Sequence, residues 1–259
     1  MQPRSIVVRG RPLADGRLPA VCAPLVARSS GELLAETAAV AALQPDLLEW
    51  RLDFFGALAD TAQVLAAARG LREAARGIPI LLTRRSQREG GQAITLDEAQ
   101  VLALYEAVAR SGCVDLLDYE MDNAPGDVAR ARALASSHGL ALVLSFHDFA
   151  RTPPDAELRA RFAQAQALGA DVGKVAVMPQ DVQDVHRLLG ATLEASRTLA
   201  IPVVSMAMGG LGAASRICGG VFGSALTFAV GAAPSAPGQM PIADVRAALA
   251  VLQRATAAA

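Results

Sequence analysis

Of the 24 lysines and arginines in the chain, 23 are arginines and one is Lys174, in the run DVGKVAVMPQ that starts at Asp171. A chain that meets its need for solvated positive charge with arginine retains a lysine where something other than charge is required. Arginine does not lose its proton in a protein, whereas a desolvated lysine amine can do so and attack a carbonyl. Lys174 sits among Val172, Gly173, Val175, Ala176 and Val177 with no carboxylate beside it in sequence. The residues alone leave two readings open. One is a nucleophilic amine whose pKa is brought down by desolvation and by Arg51, Arg85 or Arg216; the other is an interior lysine whose head pairs with Glu49 or Asp118.

The other groups able to do chemistry also cluster at the ends of apolar runs. His147 closes LSFHDF, where an imidazole can be positioned and still titrate near neutrality, as a general acid/base or as a packed neutral ring. His138, before Gly139, and His186 read as solvated helix residues. In EWRLD, the alternation of a strand puts Glu49, Arg51 and Asp53 on one face and Trp50 and Leu52 on the other. The same phase pairs Asp118 with Glu120 and Met206 with Met208. Asp53 and Asp118 suit either a site or a self-neutralising buried network, and Arg84 and Arg88 suit the surface. Glu89, Arg85 and Arg216 border predicted loops. GGLGAASRICGG lacks the lysine of a phosphate-binding P-loop and reads as a turn that brings Arg216 to a site. APSAPGQMP, from Ala233 to Pro241, has the composition of a lid that carries Ser235 and Gln239.

These groups are positioned by eight apolar, strand-like runs beginning at Ala20, Leu47, Pro79, Val114, Ala141, Val172, Pro202 and Gly220. The segments between them are mostly Ala/Leu/Arg/Glu-rich with helical periodicity. Thr95 with Glu98 has the pattern of a capping box, Gly112 and Gly169 are helix stops, and Thr152-Pro153 is a helix start. Strict alternation over eight units predicts a single-domain (β/α)8 TIM barrel spanning 1–259, with a doubly wound open sheet as the lesser alternative. In a barrel, charges late in their strands point into the lumen near the C-terminal mouth. The leader, with an Asp15-Gly16 turn signal, predicts an N-terminal β-hairpin across the barrel's bottom. PIADVRAALAVLQRATAAA predicts a closing helix with a frayed alanine tail.

A net charge of −1, with arginines scattered, argues against a nucleic-acid or membrane partner and for a small-molecule substrate. Cys22, Cys113 and Cys218 are far apart and odd in number, which predicts free thiols, no metal site, and a cytoplasmic location.

Taken in order and at their spacing, EWRLD, TRRSQREGG, the FHDF of LSFHDFARTP, GKVAVMPQ, SMAMGGLGAASRICGGVFGSALTFAVG and SAPGQMP resemble the type I 3-dehydroquinate dehydratases, over about Val21 to Ile242. The resemblance implies a lyase of the shikimate pathway that needs neither cofactor nor metal. It implies that Lys174 forms an imine with the ketone of 3-dehydroquinate, that His147 is the general acid/base, and that Glu89 orients it. It further implies that Glu49, Trp50, Arg51 and Arg85 surround the substrate hydroxyls, that Arg216, Ser235 and Gln239 hold its carboxylate, and that Met206, Met208 and Phe228 form apolar walls. A homodimer is implied too. One departure is visible: Cys22-Ala23-Pro24 stands where some relatives carry a serine. The rival readings are another Schiff-base barrel enzyme, such as a class I aldolase, and a non-catalytic dehydroquinate-binding domain.

Overall fold

The computed structural model describes residues 4–17 and 19–257. Part of the alanine tail, 258 and 259, lies outside them. The chain opens with a two-stranded antiparallel ribbon, β1 (Val7–Val8) and β2 (Arg11–Pro12). The ribbon turns at Arg9-Gly10, both at positive φ, whereas Asp15-Gly16 lies in the 3-10 turn that follows. The predicted hairpin is therefore present with its turn one signal earlier.

Eight parallel strands follow: β3 (Ala20–Leu25), β4 (Leu47–Arg51), β5 (Ile80–Thr83), β6 (Leu116–Glu120), β7 (Ala141–Asp148), β8 (Val172–Val177), β9 (Val203–Ala207) and β10 (Leu226–Phe228). They pair in chain order, with β10 beside β3. The ring closes between β9 and β10 through a bridge from Val203 to Ser224, and the Ala225 N–H donates to the Val203 carbonyl at 2.8 Å. The eighth apolar run thus contributes only three strand residues, its glycines being spent on turns. Outside the strands lie α1 (Ser30–Ala42), α2 (Thr61–Ala74), α3 (Glu98–Arg110), α4 (Pro125–Ser137), α5 (Asp155–Ala167), α6 (Val182–Thr198), the short α7 (Ala213–Cys218) and α8 (Ile242–Ala257). No helix among the described residues is long and apolar enough to cross a membrane.

The helix ends follow local chemistry with two corrections. Gly112 and Gly169 take φ of 70° and 80°, as stop signals require. The α3 capping box is built by Asp97 and Gln100, not Thr95 and Glu98. The α5 helix starts at Asp155, after Pro154, two residues past Pro153.

Strand alternation divides the core in two. Outward-facing Val21, Leu48, Trp50, Leu82, Leu117, Leu144, Val175 and Val203 pack under the helices. Inward-facing residues form layers two positions apart, about 6.6 Å per step. The lowest holds Leu47, Leu81, Leu116, Val143, Val172 and Val204, plugged from below by Ile6, Val8 and Leu13 of the leader. The layers above carry the polar residues, so the apolar bottom layer stabilises the barrel beneath a polar mouth.

Candidate active site

The middle lumen layer carries Glu49, Thr83, Asp118, Ser145, Lys174 and Met206; the layer at the mouth carries Arg51, Arg85, Glu120, His147, Ala176 and Met208. All the charged members are buried. They survive burial because nearly every charge is answered. Asp118 is the hub. Its Oδ1 accepts from Arg85 Nη2 at 2.8 Å and from Ser145 Oγ at 2.6 Å, and its Oδ2 from Lys174 Nζ at 3.0 Å. Burial pushes the Asp118 carboxyl up, but Arg85, Lys174 and these hydrogen bonds together outweigh it and bring its pKa down to about 2. Arg85 also reaches Glu120 and Ser145, each at 3.0 Å. Burial works against its charge, and Asp118, Glu120, Glu89 and Glu49 together raise its pKa in spite of that. Arg51 makes a two-pronged contact with Asp53, 2.8 Å on each arm.

Lys174 is thus paired with carboxylates, the second of the two readings open in sequence. Its Nζ lies between Asp118 Oδ2 and Glu49 Oε1 (3.7 Å), 4.6 Å from the centre of the Phe228 ring, and each of Arg51 and Arg85 has its own carboxylate. The carboxylates come from β4 and β6, invisible from the neighbours of Lys174 in sequence.

One layer above Lys174 on the adjacent strand, His147 Nδ1 lies 2.9 Å from Glu89 Oε2, which also accepts the His147 backbone N–H at 3.0 Å. Ser86 caps the short 3-10 turn that carries Glu89. The turn fits tightly: a Cβ on Gly91 would meet the Arg85 carbonyl oxygen at 2.0 Å, and one on Gly90 would meet the Phe149 ring at 2.4 Å. Burial first, then Arg85, Lys174 and Arg51, hold the imidazole well below its usual pKa. Burial pushes the Glu89 carboxyl up to about 8, with Arg85 opposing and Glu120 assisting. The two groups titrate as a pair. With Nδ1–H donating to a Glu89 carboxylate, Nε2 is bare and can act as a base; with one proton more, Nε2–H can act as an acid.

Across the lumen, Arg216 of α7 is 1% exposed and donates to the Pro237 carbonyl at 3.0 Å and the Phe228 carbonyl at 3.4 Å, with Met206 Sδ at 3.8 Å and Nε unpartnered. Burial alone lowers its pKa to about 10, with no carboxylate contributing. A buried guanidinium without an acidic partner is a receptor for an anion. The turn before α7 packs so closely that a Cβ on Gly212 would meet the Ala207 carbonyl oxygen at 2.1 Å. Above this lies the predicted lid, drawn down by Arg216 on Pro237, by the Gly209 N–H on the same carbonyl at 3.2 Å, and by Arg51 Nη1 on the Ser235 carbonyl at 3.4 Å. Ser235 and Gln239 bond each other, backbone N–H to Oε1 at 2.8 Å and Nε2 to Oγ at 3.3 Å.

A model of the family described as type I 3-dehydroquinase matches residues 21–256. The 3-dehydroquinate dehydratases of Aromatoleum aromaticum and Albidiferax ferrireducens are 50% and 51% identical to the chain, each over 97% of it and 96% of their own length. The crystal structure of the Geobacillus kaustophilus 3-dehydroquinate dehydratase superposes with a TM-score of 0.94 at 51% identity, covering 98% of both chains. The chain belongs to the type I 3-dehydroquinase family. A type I 3-dehydroquinate dehydratase from Clostridium difficile, described with covalently modified comenic acid, superposes with a TM-score of 0.91 at 34% identity over 98% of this chain and 99% of that one.

Of the thirteen residues that the resemblance to this family singles out, twelve line one cleft: Glu49, Arg51, Arg85, Glu89, His147, Lys174, Met206, Met208, Arg216, Phe228, Ser235 and Gln239. Trp50 does not. Its ring lies on the helix side of β4, fully buried and edge-on to Phe55 at 5.9 Å, away from this cleft. Alternation had put it on that face, and the implied hydroxyl contact is corrected accordingly. Pro24, paired with Glu49 in the register of β3 and β4, brings no hydroxyl beside that carboxylate. Phe149, Gly90, Ala176 and Ala236 also line the cleft and were not singled out. Thr83, which donates to Glu49 at 2.9 Å, and Ser145 were missed as well, although each shares the inward phase of a residue that was named, Arg85 and His147.

Proposed function

We propose that the chain dehydrates 3-dehydroquinate to 3-dehydroshikimate through an imine on Lys174, with His147 as general acid/base. The observation that carries this reading is the juxtaposition, in one lidded cleft, of the chain's single lysine, a histidine on the adjacent strand paired with Glu89, and a buried arginine free of carboxylates. The neutral amine of Lys174 adds to the substrate's C3 carbonyl, a proton passing from nitrogen to oxygen, and the carbinolamine hydroxyl then leaves as water with a proton from His147, which gives a protonated imine. With that proton given up, Nε2 of His147, whose Nδ1 faces Glu89, is bare and can act as a base. Asp118, kept ionised by Arg85, is then the counter-charge of the iminium.

His147 Nε2 removes a proton from C2 and the electron pair moves into the iminium, giving an enamine. Return of that pair expels the C1 hydroxyl, which leaves as water with a proton from His147. A second water hydrolyses the imine, so one water is released overall. Arg216 suits the substrate's carboxylate, with Ser235 and Gln239 exchanging their mutual hydrogen bonds for it as the lid closes. Arg51, Arg85 and Glu49 suit the ring hydroxyls. The covalently modified ligand of the Clostridium difficile relative supports a covalent route.

Borohydride reduction in the presence of 3-dehydroquinate, followed by peptide mass spectrometry, tests the reading. A substrate-dependent adduct on the Lys174 peptide is expected. An adduct with sugar phosphates instead would move the chain to the aldolases, and ligand binding without any adduct would make Lys174 a binding residue only.

A further inference from the structure

Outside the lumen, one buried phenol touches the backbone of two segments that carry the site. Tyr105 of α3 is 1% exposed, and its Oη accepts the Arg84 N–H at 2.6 Å and donates to the Asp118 carbonyl at 3.0 Å. The strand pairing of β5 with β6 ends at Thr83 opposite Asp118; beyond it the chain leaves the sheet to carry Arg85 and Glu89. Where two strands part, an N–H and a carbonyl lose their partners, and a hydroxyl can serve both because it donates and accepts. Arg84 lies between Thr83, which holds Glu49, and Arg85, which holds Asp118. The carbonyl that Tyr105 holds belongs to the residue whose carboxylate holds Lys174.

We propose that Tyr105 is a positioning residue for imine formation: it fixes the spacing of β5 and β6 at their parting point, and through Asp118 the place where the Lys174 amine is held. The inference rests on the imine reading above. The ring is set for the task, packed edge-on against Tyr119 at 6.4 Å and 72°. Burial, outweighing the opposing effect of Arg84, raises the phenol's pKa further and keeps it neutral and able to donate. The neighbouring Tyr119 phenol provides the control, since it donates to Glu98 at 2.6 Å, a carboxylate that also pairs with the Arg84 side chain, and so bears on the same parting point through a side-chain ion pair and not through a backbone hydrogen bond.

The test is the rate at which a rapid-quench borohydride experiment traps the imine, measured for wild type, Y105F and Y119F. Removal of one buried hydrogen-bonding hydroxyl should slow trapping by Y105F about five- to tenfold, with kcat falling in step and KM within about twofold. Y119F should melt earlier yet trap at the wild-type rate. Trapping by Y105F within about twofold of wild type, or equal slowing by Y119F, overturns the inference. A wild-type chain that forms no adduct overturns the imine reading instead. The chain has two tyrosines, so 3-fluorotyrosine incorporation in a Y119F background replaces Tyr105 alone without changing its packing. Should Y105F unfold, a change of about twofold in the trapping rate of that protein is expected, and an unchanged rate counts against the positioning role.

Discussion

On the proposed mechanism Lys174 needs different surroundings at different moments. Attack requires a neutral nitrogen, whereas the imine that follows would carry a proton to draw electrons from C2. Asp118 and Glu49 would answer the charge of that iminium, and the His147–Glu89 pair would carry the proton transfers. Lys174→Arg keeps a cation for those carboxylates and removes the attacking nitrogen. Turnover should fall by ~10³-fold or more, the scale on which loss of a nucleophile acts, with the circular-dichroism spectrum unchanged. Activity within about tenfold of wild type would overturn the assignment. His147→Ala should lose at least ~100-fold in kcat. The pH profile carries a sign that can be checked. In the wild type, the form with Nε2 bare accumulates as pH rises through the pair's titration, which burial of Glu89 raises toward about 8. Glu89→Gln removes that carboxylate, while burial and the cations Arg85, Lys174 and Arg51 still depress His147. The ascending limb of kcat/KM should therefore move to lower pH in the variant; a limb that stays or moves up would refute the coupling.

At the scale of elements, the sequence was legible where a signal is local and misleading where a tertiary partner decides. TLDEAQ contains two overlapping caps, Thr95 with Glu98 and Asp97 with Gln100. The second forms because the Glu98 carboxylate is already engaged by Arg84, Tyr119 and Asn123 and cannot reach back to the helix start. Trp50 shows the converse, since alternation alone assigned its face correctly while the family pattern assigned it a contact. The pairing of Lys174 with Asp118 is one of the two readings the sequence leaves open and cannot be chosen there, because β6 and β8 meet only across the lumen. The lid makes a prediction at this scale. Gly238 has φ of +75°, and a Cβ there would meet the Gly209 carbonyl oxygen at 2.2 Å. Gly238→Ala would add backbone strain of about 1–3 kcal/mol to the closed lid besides that clash. KM for the substrate should rise about tenfold or more, since each 1.36 kcal/mol is tenfold, while the melting temperature stays within a few degrees. An unchanged KM would mean that the lid does not hold the ligand.

Across the whole molecule, stability and chemistry are placed at opposite ends of one barrel. Eight alternations of strand and helix made the architecture readable, and the inward faces of β4, β5, β6 and β7 show the same order in sequence: apolar first, polar last. The ring's closure was less readable, since β10 is shortened by the glycines and turns before it and β9 meets it through a single bridge. At the bottom, Leu13 is 5% exposed and closes the lumen together with Ile6 and Val8, beneath Leu47, Leu116 and Val172. Leu13→Ala should leave a cavity there that costs about 2–5 kcal/mol of stability. The substituted layer lies below the one that carries Lys174 and Asp118, and packed apolar residues separate it from every charged group of the mouth. Per folded molecule, kcat/KM should therefore stay within about twofold of wild type at temperatures below the lowered melting point, as expected for a change confined to the end of a barrel opposite its site. A loss of kcat/KM comparable to the loss of stability would show that the bottom layer sets the height of the polar layers above it. The two ends would then be coupled through strand register, because a shift of a strand along its neighbours moves its inward side chains at the mouth as well as at the base.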